Sequence, residues 1–300
     1  MTKSLPMLLG TLLLCACTSQ APRFTAPSPT AAMSAVAPAA TPAVPADDNL
    51  NAVAWTQTAL EHDLIYRETF RSAQAQLLAA LKDKHWDALP TEDRIAPYKN
   101  LKPAVILDID ETVLDNSSYQ VRLIRKGGEF NEADWAAWCK EERARALPGA
   151  VAFTQFAAKH GIAVIYISNR AQDLDTATID NLRKVGLPVS GPDAFLGLGT
   201  LLPGCDQVGT EKNCRRQLVS KHYRVLMQFG DQLGDFVTVL SNTPAGRTQA
   251  MAPYADWIGS RWFVLPNPTY GSWEPALFNN DWTLPRDQRR QQKIHALHDD

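Results

Sequence analysis

Four consecutive apolar residues, Ala104-Val105-Ile106-Leu107, run straight into Asp108-Ile109-Asp110-Glu111-Thr112, and no other junction constrains the chain as strongly. An apolar run too short for a helix marks a strand covered on both faces, as in the middle of a parallel sheet. Open parallel sheets place their chemistry just beyond the carboxyl ends of their strands. The same pattern recurs downstream. Residues 162–167 precede Ser168-Asn169-Arg170, residues 225–229 precede Gly230-Asp231 and Asp235, and residues 262–265 precede Pro266-Asn267. Helical periodicity fills the intervals: Val53, Leu60, Leu64, Tyr66, Phe70, Ala73, Leu77 and Leu81 recur at spacings near three and four. Further helices are predicted over residues 135–146, 151–159 and 172–185, with Gly161 and Gly186 at the ends of the last two. This predicts an α/β fold, a parallel-sheet core spanning residues 48–300. A smaller helical annex is expected over residues 50–95 and part of 115–147.

The first 47 residues follow other rules. Lys3 and the leucine-rich stretch to Leu14 form an apolar run too short to span a bilayer, the pattern of an export signal over residues 1–16. Its end, Leu14-Cys15-Ala16-Cys17, resembles a bacterial lipobox, which makes Cys17 the expected lipidated N-terminus. Several acyl chains there would give stable attachment without a transmembrane segment. Thr18 and Ser19 stand where an aspartate would favour inner-membrane retention, so the resemblance implies an outer-membrane lipoprotein, its folded part periplasmic or surface exposed. From Ala21 to Ala46, alanine and proline supply 16 of 26 residues, and six prolines deny that stretch a regular helix. Residues 17–47 are expected to be a tether.

Charge excludes one class of partner. Thirty basic against 32 acidic side chains give a formal charge of -2, with no global field to hold a nucleic-acid polymer. The acidic residues at the strand exits are another matter. Asp108 and Asp110 are one residue apart, so an extended exit turns both carboxylates one way while Ile109 packs the other. Asp231 and Asp235 arrive on a second exit. Oxygen ligands of this kind suit a hard cation such as Mg²⁺, which works with a few carboxylates and substrate phosphate. A cation also relieves the repulsion that would otherwise keep one carboxylate protonated.

These strings together resemble the haloacid dehalogenase-like phosphatases. Within them, Asp108 to Asn116, Ile167-Ser168-Asn169-Arg170, Phe229-Gly230-Asp231 through Asp235-Phe236, and Leu265-Pro266-Asn267 through Tyr270-Gly271-Ser272-Trp273-Glu274 are similar to the class C acid phosphatases, also described as outer-membrane lipoprotein 5'-nucleotidases. The resemblance covers roughly residues 53–284. It implies a haloacid dehalogenase-like Rossmannoid core and Mg²⁺-dependent hydrolysis of phosphomonoesters at acidic pH. Asp108 would be the nucleophile and Asp110 the general acid and base. Ser168 would bond a phosphoryl oxygen, and Lys212 would neutralise phosphate, with Arg215, Arg216 and Lys221 as alternatives. The metal would take Asp108, Asp110 through its backbone carbonyl, and Asp231, with Asp235 orienting a metal water or Lys212. Asn169 and Arg170 would contact substrate. Trp135, Trp138, Tyr270 and Trp273 are candidates for an aromatic box favouring 5'-nucleotides and aromatic phosphates, with the choice between Trp135 and Trp138 open. Core packing is the competing explanation for each ring.

Cys205 and Cys214 enclose a short segment, and export would permit a disulfide between them. Cys139 reads as a buried small hydrophobe. The expected partners are a small phosphomonoester and, through Cys17, a lipid surface, with a homodimer left open. A phosphotransferase using the same phosphoenzyme, or a surface protein that binds ligand without turnover, are the alternatives.

Overall fold

The computed structural model describes residues 46–299; the expected signal, lipidated Cys17 and nearly all of the tether lie outside them. Among the described residues there are seven strands: β1 (Lys102–Leu107), β2 (Leu114–Asp115), β3 (Arg145–Ala146), β4 (Ala163–Ala171), β5 (Phe195–Leu198), β6 (Tyr223–Gly230) and β7 (Trp262–Val264). Nine α-helices lie among the same residues: α1 (Leu50–Thr58), α2 (Leu60–Lys82), α3 (Ser117–Lys126), α4 (Glu132–Lys140), α5 (Ala150–Lys159), α6 (Asp175–Lys184), α7 (Asn213–His222), α8 (Pro244–Met251) and α9 (Arg286–His295). Five strands form one sheet in the order β5-β4-β1-β6-β7, every pairing parallel. Strand β1 is central, so its carboxyl end opens between those of β4 and β6. No helix among the described residues is long and apolar enough to cross a membrane.

The alternation of side chains along β1 builds both cores. Val105 and Leu107 enter one cluster with Phe153, Phe229 and Phe263, whereas Ala104 and Ile106 enter another with Ile165, Val219, Phe236 and Trp262. Phe229 stacks between Phe70 and Phe263, with centroids 5.3 and 5.1 Å away.

Helix α2 differs from its expected place in an annex. Tyr66, Phe70, Ala73 and Leu77 are buried in the same cluster as β1 and β6, so this helix is a layer of the main core. Its expected apolar stripe also included Leu60 and Leu64, which stand 67% and 52% exposed. The stripe belongs to two helices, because Ala59 is extended and restarts the helical phase after α1. The helix expected over residues 135–146 is the shorter α4, after which Arg145 and Ala146 pair antiparallel with Asp115 and Leu114. Strand β4 runs past its expected end and carries Ser168, Asn169 and Arg170 within it. Helices α3 and α4 with the β2–β3 ribbon form the cap beside the carboxyl end of β1.

Candidate active site

The exit of β1 is a tight turn. The backbone N–H groups of Val113 and Leu114 donate to the Ile109 carbonyl at 2.9 and 2.8 Å, while Ile109 itself is buried. Glu111 takes a left-handed φ of 55°, unusual outside glycine. Several bonds hold it there: the Asn116 N–H donates to its carboxylate at 2.8 Å, as does the Tyr270 hydroxyl, and the Tyr66 hydroxyl donates to its carbonyl. Burial, with the Asp110 charge adding to it, pushes the Glu111 carboxyl up to about 8 against the lowering hydrogen bond from Tyr270.

The turn delivers Asp108 to Lys212. The ammonium has three protons and three acceptors: Asp108 Oδ1 at 2.5 Å, Asp235 Oδ1 at 2.7 Å and the Ile167 carbonyl at 2.9 Å. Thr112 Oγ1 donates to the other Asp108 oxygen at 3.3 Å. Burial opposes the charge on Lys212, but Asp108 and Asp235 outweigh it and hold the ammonium above its ordinary value. The alternatives for this position are engaged elsewhere. Arg215 donates to the Ser168 carbonyl and the Asn169 side chain, Arg216 pairs with buried Asp93 at 2.5 Å, and Lys221 is exposed. Cys205 and Cys214 are joined in a disulfide that ties the loop bearing Lys212 to the first turn of α7. Cys139 is free and buried, and burial pushes its thiol up to about 12, consistent with an inert packing residue.

Strand β6 brings the remaining acids. Carboxylate oxygens of Asp108, Asp231 and Asp235 lie within 4.8 Å of one another. Asn267 donates to Asp231 at 2.8 Å, and the Gln232 N–H donates to Asp235 at 2.9 Å. Glycine at 230 is required by this approach, since an added Cβ would stand 2.1 Å from Asp235 Oδ2. Three clustered carboxylates thus have one ammonium among them, bonded to Asp108 and Asp235 but not to Asp231, a deficit of positive charge in a buried place. A divalent cation with a preference for oxygen corrects it, so the residues present fit Mg²⁺.

The carboxyl groups carry the mark of that deficit. Burial, together with Asp235 and Asp110, raises the Asp108 carboxyl to about 7 in spite of Lys212, and Asp231 is raised well above its ordinary value by burial and by Asp235. Because the folded values exceed the unfolded ones, this contribution to stability is full below about pH 4 and is lost as pH rises through about 7. In chelator, the protein is expected to melt at least about 4 °C higher near pH 5 than near pH 8. Added Mg²⁺ should narrow that gap, more at the higher pH, because the cation favours the ionised carboxylates. Differential scanning fluorimetry across pH checks it; an Mg²⁺ effect independent of pH would contradict it.

Asp110 stands apart from the acidic triad. Its carboxylate accepts from Arg170 Nε and Nη2 at 3.0 and 2.8 Å and from Asn116 Nδ2 at 2.8 Å. These bonds commit Oδ1, and the side chain stands outside the oxygen cluster of Asp108, Asp231 and Asp235. Ser168 is fully buried, with its hydroxyl 3.4 Å from Asp110. A single cavity of about 1110 Å³ is lined by Asp108, Asp110, Lys212, Asp231 and Asp235 together with Asn169, Arg170, Trp135, Tyr270 and Trp273. Trp273 is 37% exposed at its edge. Trp135 lies edge-on to Tyr119, 5.2 Å between centroids.

Two expected substrate contacts are placed differently. Trp138 is buried in the main core and its indole N–H donates to Asn116 Oδ1 at 2.8 Å, so it lies behind the cavity wall. The Arg170 side chain has 0% exposure and its guanidinium is committed to Asp110. Asn116, Asn267 and Thr112 enter the site with no role assigned to them from the sequence, although the Asp108-to-Asn116 and Leu265-Pro266-Asn267 strings contain them; Arg215, an alternative to Lys212, instead braces the Ser168 carbonyl and Asn169.

Residues 23–273 match the family described as HAD superfamily, subfamily IIIB (Acid phosphatase). The class C acid phosphatase from Bacillus anthracis is 31% identical and superimposes with a TM-score of 0.70, covering 84% of this chain and 97% of that one. Its structure with tungstate bound gives 0.71 at the same identity and coverage. Vegetative storage protein 1 of Arabidopsis thaliana is 29% identical over 168 residues, 55% of this chain; the chain spans 54% of that relative's length.

Proposed function

The chain belongs to the acid phosphatases of HAD subfamily IIIB, and on that premise we propose that it hydrolyses phosphomonoesters through a phosphoryl group carried on Asp108. The observation that carries this reading is the convergence of Asp108, Asp231 and Asp235 at the exits of β1 and β6, with Lys212 bonded to Asp108 and Asp235 and Asp110 close by. Asp108 attacks phosphorus, forming one O–P bond as the ester P–O bond breaks. Asp110 gives its proton to the departing alkoxide oxygen. Water then attacks the aspartyl-phosphate, Asp110 takes the proton back, and phosphate leaves with Asp108 restored. Lys212 lies against Asp108 and supports its charge, and the buried Ser168 hydroxyl, 3.4 Å from Asp110, is the group this reading assigns to a phosphoryl oxygen. Mg²⁺, held by Asp108, the Asp110 carbonyl and Asp231, would add positive charge where the phosphoryl oxygens gather. Tungstate, which the class C acid phosphatase from Bacillus anthracis binds, is a tetrahedral oxyanion like phosphate and supports the same reading here.

The substrate class in this proposal is the 5'-nucleoside monophosphates and aromatic phosphates. Trp135, Tyr270 and Trp273 on the cavity wall support it, since a ring stacked on a base contributes about 1–3 kcal/mol with little regard to base identity. The proposal also takes Cys17 as a lipid anchor to the outer membrane and an acidic optimum. Mass measurement of the amino-terminal peptide from membranes tests the anchor.

Phosphate release from AMP, 4-nitrophenyl phosphate and a small alkyl phosphate, with Mg²⁺ or chelator, tests the function. The expected result is metal-dependent release from all three, with kcat/KM at least about tenfold higher for AMP than for the alkyl ester. A folded, metal-replete protein that releases no phosphate would contradict it.

A further inference from the structure

The carboxylate of Asp110 is gripped on one side. Oδ1 accepts from Arg170 Nη2, Arg170 Nε and Asn116 Nδ2 at 2.8, 3.0 and 2.8 Å. Oδ2 has only longer contacts, 3.3 Å to Arg170 Nε and 3.4 Å to Ser168 Oγ. The two residues that grip Oδ1 are themselves fixed. Asn116 Oδ1 accepts the indole N–H of Trp138 at 2.8 Å, which sets the amide orientation so that its NH₂ faces Asp110. Arg170 Nη2 also reaches that Asn116 oxygen at 3.3 Å, and Nη1 reaches Thr178 at 3.4 Å. Arg170, Asn116 and Trp138 are all buried. They come from β4, the turn after β2, and α4, so sheet and cap are joined at this carboxylate.

A guanidinium placed to bind substrate phosphate keeps a fork of donors free. The fork of Arg170 is occupied, its side chain has no exposed surface, and its plane lies over the ring of Trp135 at 5.6 Å. We propose that Arg170, Asn116 and Trp138 are positioning residues for Asp110. They pin Oδ1 and leave Oδ2 as the oxygen that meets the leaving group and then water. This inference rests on the reading of Asp110 as general acid and base. A 1 Å displacement of such a group costs on the order of 100-fold in rate, which is the size of effect a lost grip would produce.

Leaving-group dependence separates this from a binding or purely structural part. A general acid matters most when the departing oxygen is strongly basic, so misplacing it penalises an alkyl ester more than 4-nitrophenyl phosphate. The quantity to read is kcat/KM, which reports the step that breaks the ester bond, on the Mg²⁺-loaded full chain. Arg170→Met is expected to lower it about 100-fold more for an alkyl phosphate than for 4-nitrophenyl phosphate. The inhibition constant of inorganic phosphate should stay within about threefold of wild type. Trp138→Phe keeps a smaller aromatic ring in the core while removing the N–H that orients Asn116, and should show the same selectivity at about three- to tenfold.

Asp110→Asn provides the control. If it shows no leaving-group selectivity, the reading of Asp110 fails and the positioning proposal falls with it. If it is selective but Arg170→Met and Trp138→Phe lose activity equally on all esters, or phosphate inhibition weakens in step with rate, the positioning proposal alone is overturned. Should Arg170→Met not fold, Trp138→Phe decides by the same criteria.

Discussion

Asp108→Asn is expected to lower kcat on 4-nitrophenyl phosphate by on the order of 10⁴-fold or more. The change keeps the size and shape of the side chain and removes only the nucleophile. Its amide oxygen can still accept from Lys212 and its NH₂ can turn to Thr112, whose hydroxyl can also accept, so the local bonds persist. It also removes one of three clustered carboxylates that have a single ammonium among them, and the group lost is held near 7 by its surroundings. The folded protein should therefore melt no lower than wild type in chelator near pH 8. Stopped assays together with thermal melts check both halves. Retained turnover would contradict Asp108 as the nucleophile, and a collapse of the fold would assign it a structural task instead.

Lys212→Met has the next largest consequence, a loss in kcat of about 10²- to 10³-fold. Its ammonium makes three bonds in a place almost closed to water, and methionine fills a similar volume with none of them. Asp108 and Asp235 would then face each other without a cation, and the Ile167 carbonyl would lose a donor. A buried pair broken on one side costs about 3–5 kcal/mol. In chelator this variant should melt well below wild type, and Mg²⁺ should recover more of its stability than it adds to wild type, being the remaining source of positive charge there. Paired melts with and without Mg²⁺ measure that difference, and equal gains would show that Lys212 and the metal do not share these carboxylates. The double variant with Asp108→Asn should lose much less than the product of the two separate losses, because both act on one group.

The strands were legible wherever burial is two-sided. Residues 104–107, 162–167 and 225–229 are apolar runs, broken only by Gln228, because both faces of their strands are buried in the two clusters, and residues 262–265 keep the pattern at the sheet edge, where Val264 is exposed. Strand β5 escaped because it is an edge of four residues, Phe195-Leu196-Gly197-Leu198, with too little pattern to separate from a loop. Helix α7 escaped for a different reason. Its buried face carries Arg215 and Arg216, which a hydropathy pattern assigns to solvent, although Arg215 donates to carbonyls and Arg216 to carbonyls and to Asp93. Helix α2 misled in the opposite sense, since exposed Leu60 and Leu64 happen to share the spacing of the buried residues.

The site divides along a similar line. Asp108, Asp110, Asp231 and Asp235 were readable because acids directly after apolar strands have little reason to be there except chemistry. Lys212 carried no such mark, and only resemblance singled it out from Arg215, Arg216 and Lys221. The grip on Asp110 was invisible, because Arg170 and Trp138 reach it and Asn116 across 60 and 22 residues of chain. Long-range bonds of that kind leave no local periodicity. The same residues read from sequence as substrate contacts, and burial is what reassigns them.

Phosphoryl transfer to Asp108 is the central claim, and chemical trapping addresses it most directly. Enzyme mixed with substrate and Mg²⁺, quenched in acid and reduced with borohydride, should yield homoserine in place of aspartate at position 108, since reduction of an acyl phosphate gives the alcohol. Asp108→Asn should yield none. Homoserine at another aspartate, or turnover with no trapped residue when burst kinetics show that an intermediate accumulates, would contradict the account.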